Sequence, residues 1–419
     1  MGIFDFLHPK KIRDSYAISL DIGTEFVKAL IFKVEKDKAV VLGVGKQRQK
    51  LSDMQGGTVT DIHGVIKNCE SALERAAEQA GVLPEQVIIG IAGELVKGTT
   101  TTVKYTRAEP KTKITMTELR DIISRVQRRS FDRARSLLSW ESGISEIDVK
   151  LVNAAVVDVR IDGYRVTNPL GFQGKEVQVG VFNAFAPIVH LGALQTIAES
   201  LKLDLLSITA EPYAVARCMG EAESSEFSAI FMDIGGGTTD IAIVSSGGVV
   251  GTKMFALGGR AFTKRLSQAL GLTFAEAEEL KLKYSRGELT NEVQAAKVKE
   301  ALKADCEVWS SGVELTLGEF NNVELLPSRI LLCGGGSALP DIEETLKNKK
   351  WSRKIPFSRQ PSIHFIRPKD VINVEDKTGQ LKDAQDVTPM AMANLAIELV
   401  GEEEMLDGIL SRVVGSLRS

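Results

Sequence analysis

Two short glycine-rich turns, each opened by an aspartate at the end of an apolar run, carry the residues best suited to chemistry. They read Asp21-Ile22-Gly23-Thr24 and Asp233-Ile234-Gly235-Gly236-Gly237-Thr238. In such a turn, backbone N–H groups can face a phosphate while the carboxylate orients a hydrated Mg²⁺. Two turns of this kind, half a chain apart, indicate duplicated domains that close on a nucleotide.

Two further features strengthen this interpretation. Lys28 lies on the strand predicted after the first turn, where its ammonium could reach a β-phosphate as a compact charge. A third glycine turn, made of Gly334, Gly335, Gly336 and Ser337, follows a buried apolar run. Taken singly, each turn is compatible with a purely structural role and Lys28 with a strand-edge lysine; together they favour a nucleotide site.

Composition excludes several other classes of protein. The chain has 419 residues and a formal net charge of -3, with acidic and basic residues interleaved, so nucleic acid is not expected as a partner. The four cysteines form no Cys-x-x-Cys pair, which argues against a zinc site or disulfide scaffold and favours a reducing cytoplasm. No apolar stretch resembles a secretory signal or a membrane span, so any membrane contact is expected to be peripheral.

The elements that must position the turns follow from periodicity and from helix and strand end signals. Helices are predicted over 61–80, 115–136, 189–201, 212–219, 274–284, 291–309 and 388–400. Strands are predicted over 16–20, 27–34, 39–44, 87–92, 99–106, 149–161, 177–184, 205–209, 229–232 and 330–332. The polar tract 367–385 is predicted to be a surface loop.

The three turns resemble, in order and spacing, the phosphate-1, phosphate-2 and adenosine motifs of the actin-like ATPase superfamily. That resemblance implies an α/β fold, the actin-like (duplicated ribonuclease-H-like) two-domain ATPase fold, with ATP and Mg²⁺ in the cleft. It implies that Asp21 and Asp233 hold Mg²⁺ through water. The residues implied to cradle the phosphates are Gly23, Thr24, Lys28, Gly235, Gly236, Gly237 and Thr238.

The same resemblance extends to two helical segments. Ala210 to Ala216 is similar to the connecting helix whose polar residue positions the attacking water, which makes Glu211 the implied catalytic residue; a helix cap is the alternative. Glu278 and Lys281 resemble the Ala-Glu-x-x-Lys segment that holds ribose and adenine, although a charged helix face fits the letters as well. Gly334 to Ser337 would complete the adenosine side.

Two stretches, 57–62 and 162–174, resemble the FtsA family of bacterial cell-division proteins, in which a subdomain called 1C replaces the usual actin subdomain 1B. PilM, an actin-like protein of type IV pilus assembly, is the similar alternative. The resemblance implies these boundaries: tail 1–14; subdomain 1A over 15–85, 169–212 and 366–401; the FtsA-type 1C insertion over 86–168; subdomain 2A over 213–257 and 329–365; subdomain 2B over 258–328; and an amphipathic helix over 402–419.

The FtsA resemblance also implies a function. The protein is expected to bind ATP, hydrolyse it slowly, polymerise with further copies at the cytoplasmic face of the membrane, and tether FtsZ filaments to the division site. The alternatives are a PilM-like role in type IV pilus assembly and, on the same fold, a small-molecule kinase. No added base for a kinase substrate is evident near the turns.

The sequence offers two candidate segments for membrane attachment, one at each end of the chain. Residues 402–419 repeat apolar pairs every four residues but contain no Trp or Phe and few cations, a poor signature for lipid. Residues 1–14 combine Met1, Ile3, Phe4, Phe6 and Leu7 with a basic flank, which suits anionic inner-membrane lipids. Packing against protein and a disordered tail are the respective alternatives.

Overall fold

The fold is taken from a computed structural model, which describes residues 16–93, 95–143, 147–219, 226–321, 323–348 and 350–398. The predicted N-terminal tail (1–14) and C-terminal amphipathic helix (402–419) lie outside those residues. No helix within the described ranges is both long enough and apolar enough to cross a bilayer.

The chain contains groups of strands separated by helices. The strands are β1 (Tyr16–Ile22), β2 (Phe26–Glu35), β3 (Lys38–Arg48), β4 (Met54–Gln55), β5 (Thr58–Val59), β6 (Gln86–Ile91), β7 (Lys97–Thr106), β8 (Val149–Ile161), β9 (Tyr164–Arg165), β10 (Glu176–Pro187), β11 (Asp204–Ala210), β12 (Ala229–Ile234), β13 (Thr239–Ser245), β14 (Gly248–Phe255), β15 (Arg329–Cys333), β16 (Ser362–Phe365) and β17 (Val374–Asp376). The helices are α1 (Ile62–Ala80), α2 (Met116–Ser142), α3 (Ile188–Ser200), α4 (Glu211–Ala216), α5 (Gly259–Leu270), α6 (Phe274–Ser285), α7 (Glu292–Gly318), α8 (Pro340–Lys347) and α9 (Val387–Glu398).

The first half of the molecule is built on a six-stranded sheet in the order β11-β6-β1-β2-β3-β17. Strands β1, β2 and β3 form an antiparallel meander, whereas β6 and β11 add in parallel. Helices α1 and α9 pack on this sheet, and its buried side chains form one continuous apolar core with α3 and α4. Central strands buried on both faces carry consecutive apolar residues, as β6 does from Val87 to Ile89.

The second half repeats this plan inside a nine-stranded sheet in the order β16-β15-β12-β13-β14-β7-β10-β8-β9. Strands β12 to β16 and helices α5 to α8 enclose a second core around Phe262 and Trp309. Strands β7 to β10 and helix α2 enclose a third core. Two residue pairs, Gly251 with Thr99 and Thr252 with Gly98, join the inserted strands to β14, so the insertion extends the sheet of the second half.

The capping residues at the two ends of α1 explain why this segment of the sequence forms a helix. The Asp61 side chain accepts the Gly64 N–H, and Gly81 closes the helix with a φ of 70°. Between these caps, apolar residues recur at helical spacing and face the sheet. Gly43 and Gly45 of β3 lie directly beneath, where a methyl group would overlap the carbonyl oxygens of Ala76 and Ala72. Glycine therefore sets the distance between helix and sheet.

Several predicted elements differ from the structure. The domain limits, including the 1C insertion over 86–168, stay a prediction; β6 lies in the six-stranded sheet and β7 to β10 lie in the nine-stranded sheet. Helix α7 continues to Gly318, well past the predicted end at residue 309. The surface-loop prediction for 367–385 is wrong, because β17 pairs with β3 there. Periodicity in the sequence predicted neither β14 nor α5, because both segments mix glycine and polar residues with apolar ones.

A pair of glycine substitutions tests the close contact of α1 with β3. Gly45→Ala should destabilise the protein by about 2 kcal/mol or more, because the added methyl group meets rigid backbone. Gly192→Ala is the matched control, since Gly192 lies in α3 with open space around it, and it should stabilise by about 0.5–1 kcal/mol. Thermal unfolding followed by circular dichroism measures both. Equal midpoints for the two variants would contradict this packing account.

Candidate nucleotide site

The predicted site residues converge on one cleft between the two halves of the molecule. Its floor is formed where β1 and β12 end, at Asp21 and Asp233, and its walls by the glycine turns, α4, α5, α6 and the start of α9. Among the lining residues are Gly23, Thr24, Lys28, Glu211, Gly235, Gly236, Thr238, Glu278, Lys281, Gly334, Gly335 and Gly336. Gly237 and Ser337 belong to the same turns but do not line the cleft.

The first turn is held by a buried network of polar side chains. The Gly23 N–H donates to the Phe26 carbonyl at 3.1 Å, which closes the turn. The Gln49 amide donates to the Gly23 carbonyl at 3.3 Å. Asn68 in turn donates to Gln49 at 2.6 Å and to Asp53 at 2.8 Å. Satisfied buried networks of this kind fix one backbone geometry.

The second turn is held by the start of α5. The Gly235 N–H donates to the Thr238 carbonyl at 2.9 Å. The Gly259 and Arg260 N–H groups donate to the Gly235 and Gly236 carbonyls at 2.9 and 2.7 Å. These three bonds fix the backbone of the turn and occupy the carbonyls of Gly235, Gly236 and Thr238.

The two turns touch each other, and this contact requires glycine. A methyl group at Gly236 would lie 2.7 Å from the Glu25 Cβ, and one at Gly237 would lie 2.8 Å from Thr24 side-chain atoms. Neither distance is sterically permitted for a side chain. The absence of a Cβ thus lets the first and second glycine turns approach as one surface.

An ion-pair bridge crosses the cleft beside this contact. Glu25 accepts from the Arg260 Nε at 2.7 Å and from the Arg48 Nε at 2.7 Å. Arg260 also donates to the Met54 carbonyl at 3.0 Å. The sequence did not predict the ion pair of Glu25 with Arg260, because these residues are far apart in the chain and neither stands in a motif by itself.

Lys28 faces the carboxylate of Asp21. The antiparallel register of β1 and β2 sets these two residues opposite each other, and the Lys28 ammonium contacts Asp21 Oδ2 at 2.8 Å. Burial lowers the pKa of Lys28, but the carboxylates of Asp21 and Asp233 outweigh that effect and the pKa is raised overall. Lys28 therefore stays charged at the floor of the cleft.

Three further carboxylates crowd the same space. Burial is the largest cause of a pKa of Glu211 well above its ordinary value, and the charges of Asp21, Asp240 and Asp233 add to it. Burial likewise raises the pKa of Asp233, although a hydrogen bond from Thr388 opposes the shift. Glu211 also lies against Gly90, where a methyl group would overlap its carboxylate.

Asp240 is a site residue that the sequence reasoning did not single out. It pairs with Asp233 in the β12–β13 ladder, and burial together with Asp233 raises the pKa of Asp240 to about 8. Thr238 donates to one of its oxygens at 3.1 Å, while the other, Oδ1, is buried without a hydrogen-bond partner among the described residues. The sequence does contain a signal for this residue, because Asp240 follows directly after the second glycine turn and Thr239.

The chemistry of this carboxylate group fits a hydrated divalent cation. Carboxylate oxygens are the ligands that Mg²⁺ prefers, and Mg²⁺ usually keeps several of its waters. Asp240 Oδ1 is an acceptor in need of a donor such as a metal-bound water. Within the described ranges, no three acidic, His or Cys side chains are arranged as a direct ligand shell. Asp21, Asp233 and Asp240 are thus suited to hold the ion through water.

On the predicted adenosine side, Glu278 and Lys281 are buried on α6. The Lys281 ammonium contacts Glu278 at 2.8 Å and donates to the Thr263 hydroxyl at 2.8 Å and the Gly259 carbonyl at 3.0 Å. Thr263 also donates to Glu278. These contacts connect α6 to the start of α5. Because the start of α5 in turn bonds to the second glycine turn, both side chains help to hold that turn in place.

The third glycine turn packs against Asp233 at the floor of the cleft. Gly334 has a φ of 80°, and a methyl group there would overlap Asp233 Oδ1. Its N–H donates to the Ala384 carbonyl at 3.0 Å, and the Ser337 hydroxyl donates to the Gly334 carbonyl at 2.7 Å. Ser337 therefore stabilises the turn from within.

The segment before α9 also reaches the cleft, which the predicted surface loop did not anticipate. The Gln385 amide oxygen accepts from Lys46 at 2.6 Å, and Gln385 lines the cleft. Thr388, at the start of α9, donates to Asp233 Oδ2. Only the return of the chain to the first sheet brings these residues together, and no local pattern marks it.

The chain that forms this cleft is similar in sequence to known bacterial proteins. The family model "Cell division protein FtsA" matches residues 230–379, and the model "MreB/Mbl protein" matches residues 172–286. The FtsA of Streptococcus pneumoniae serotype 2 is 24% identical over 88% of this chain and 82% of its own length. The FtsA of Pseudomonas aeruginosa is 23% identical over 84% of this chain and 85% of its own length.

Among solved structures, a chain of the PilM-PilN type IV pilus biogenesis complex superimposes with a TM-score of 0.62. It shares 16% identity and covers 92% of this chain and 99% of its own. The predicted actin-like fold and the predicted resemblance to FtsA, with PilM as a similar protein, are confirmed.

Asp240→Asn tests the carboxylate cluster in the ligand-free protein. An aspartate whose folded-state pKa is raised stabilises the fold fully only below its unfolded pKa of about 4; that contribution is lost as pH rises towards about 8. Asparagine keeps the acceptor for Thr238 and carries no charge. The variant should therefore unfold at a higher temperature than wild type near pH 8, with a flatter dependence on pH.

Glu35→Gln serves as the control, because Glu35 is paired with Lys33 at the surface and that pair lowers the pKa of Glu35. It should give no gain in the unfolding midpoint at pH 8. Parallel pH profiles for wild type and Asp240→Asn would show that the cluster does not destabilise the ionised form.

Proposed function

We propose that this protein binds Mg²⁺-ATP between its two halves, hydrolyses it slowly, and acts in bacterial cell division by polymerising at the cytoplasmic membrane and tethering FtsZ filaments to the division site. The observation that carries the nucleotide part is the contact of two glycine turns above a shared group of carboxylates. Similarity to FtsA proteins over most of the chain supports the cell-division part.

The backbone of the two turns would bind the phosphates. The N–H groups of Thr24 and of Gly236 to Thr238 would donate to the phosphate oxygens, whereas those of Gly23 and Gly235 close their own turns. Lys28 adds a fixed positive charge next to Asp21. Bound Mg²⁺ would neutralise charge that develops on the phosphoryl oxygens, and Asp21 and Asp233 would hold it through water.

Glu211 would orient the attacking water and accept its proton. It opens α4 at the cleft, on the same side as Asp233 and Asp240. A general base works best when its pKa lies near the working pH, and burial raises the pKa of Glu211 in that direction. Its placement over Gly90 holds the carboxylate against the floor of the cleft.

Glu211→Gln tests this assignment. The amide keeps the size of the side chain and its hydrogen-bonding oxygen but cannot take up a proton. The variant should bind a fluorescent ATP analogue within about twofold of wild type, while phosphate release falls by about 10²-fold.

Lys28→Ala is the companion variant and should instead weaken nucleotide binding, because it removes the charge beside the phosphates. Phosphate release unchanged in Glu211→Gln would remove Glu211 from the mechanism. A wild-type protein that binds no ATP in the presence of Mg²⁺ would overturn the nucleotide proposal itself.

A second experiment tests the tethering role. Full-length protein should co-sediment with FtsZ filaments on liposomes of anionic lipid, and more strongly with ATP than without it. Two deletions, of residues 1–13 and of residues 403–419, identify the terminus that binds lipid; the larger loss is expected from the first, whose sequence combines apolar and cationic residues.

Three outcomes would contradict this account. Specific binding of a pilus-protein N-terminal peptide without FtsZ binding would favour the PilM-like role. ATP turnover stimulated by a sugar or by acetate would favour a kinase of the same fold. Liposome binding lost only on removal of 403–419 would assign the membrane contact to the C-terminal segment.

A further inference from the structure

The inserted strands touch the segment that carries Glu211, although they belong to the other sheet. Strand β8 ladders with β10 along its length and with β9 only at its far end, at Arg160 and Ile161. Asn153, near the start of β8, lies where that strand passes β11 of the six-stranded sheet. Its side chain bridges the two sheets.

Both polar atoms of the Asn153 amide contact the residues immediately before Glu211. Its Oδ1 accepts the Ala210 N–H at 2.8 Å, and its Nδ2 donates to the Thr209 hydroxyl at 3.4 Å. Ala210 is the N-cap of α4, and its own side chain offers no cap. Asn153 therefore fixes the backbone at the point where the strand becomes the helix.

This bond matters because β11 is the edge strand of its sheet and, among the strands that the structure describes, pairs only with β6. Ala210 is fully buried. A buried N–H that loses its partner is strongly unfavourable. The helix start would relieve that cost by shifting, and Glu211 would shift with it.

A second contact from the insertion reaches the same helix. Phe182 of β10 stacks on Tyr213 of α4, with ring centroids 4.9 Å apart and planes inclined by 8°. Both rings are buried. The sheet of the insertion thus contacts this segment on both sides of Glu211: Asn153 holds the backbone of Ala210, one residue before it, and Phe182 stacks on Tyr213, two residues after it.

We infer that Asn153 is a positioning residue for Glu211, and that through it the insertion sets the rate of ATP hydrolysis. This inference rests on the proposed function. It assigns the inserted strands a role in the nucleotide cycle: a partner that moves β8 or β10 alters the placement of the Glu211 carboxylate without touching the nucleotide. Asn153 itself contacts no part of the cleft.

The test compares Asn153→Ala with Asn153→Asp. The alanine variant loses the acceptor for Ala210, and the aspartate variant keeps it. For Asn153→Ala we expect kcat to fall about tenfold with the Kd for ATP within about twofold, since displacement of a catalytic group by a fraction of an ångström is costly to the rate. Asn153→Asp should retain more than half of the wild-type kcat.

Asn168→Ala is the matched control, because Asn168 lies in the insertion and bonds only its own loop, at the Leu170 N–H. It should leave kcat and Kd unchanged. The double variant Asn153→Ala/Glu211→Gln should be no slower than Glu211→Gln alone, since two residues that act through one step are not additive. Phe182→Leu should reproduce the loss of kcat if Asn153→Ala fails to fold.

The inference is overturned if kcat and affinity fall together in Asn153→Ala, if Asn153→Asp is as slow as Asn153→Ala, or if the double variant is slower by the product of the single effects. It is also overturned if wild type and Glu211→Gln turn over equally. In that case the binding data still decide the nucleotide proposal, so the two failures are distinguishable.

Discussion

Carboxylates from both halves of the molecule meet in one confined space, and the surrounding structure is arranged to hold them there. Asp21 and Asp240 are buried, and Asp233 and Glu211 lie beside them with Lys28 as the neighbouring ammonium. Grouping ionised acids in a low-dielectric site is unfavourable unless they are paired or bind a cation. Such a group is therefore a candidate for function rather than for stability.

The backbone geometry around the carboxylates follows from this constraint. The turns meet through Gly236 and Gly237 because any side chain there would collide with the facing turn. The Gly235 and Gly236 carbonyls accept from the start of α5, the Gly23 carbonyl accepts from Gln49, and the Glu25–Arg260 ion pair ties the two turns together. Two glycine turns are thereby held in contact above a floor of carboxylates.

The sequence predicted the parts of this arrangement that are local. Asp21, Asp233 and the glycines next to them stand in contiguous motifs, and Lys28 follows from strand register, so their meeting could be foreseen. The ion pair of Glu25 with Arg260 could not be foreseen, and neither could the contacts of Thr388 and Asn153. Each of these contacts depends on which surfaces face each other after folding. The sheet that the inserted strands join could not be foreseen either: β10 reads as an ordinary strand, and only its ladder with β7 and β8 shows which sheet it joins.

Proton release on ligand binding tests the account most directly. A cation at the cluster should lower the raised pKa values of Glu211, Asp233 and Asp240. Calorimetric titration with ATP at neutral pH, in two buffers of different ionisation enthalpy, measures the protons exchanged. The account predicts net proton release with Mg²⁺ present and weaker binding without such release when Mg²⁺ is omitted. Equal affinity and no proton exchange under both conditions would contradict it.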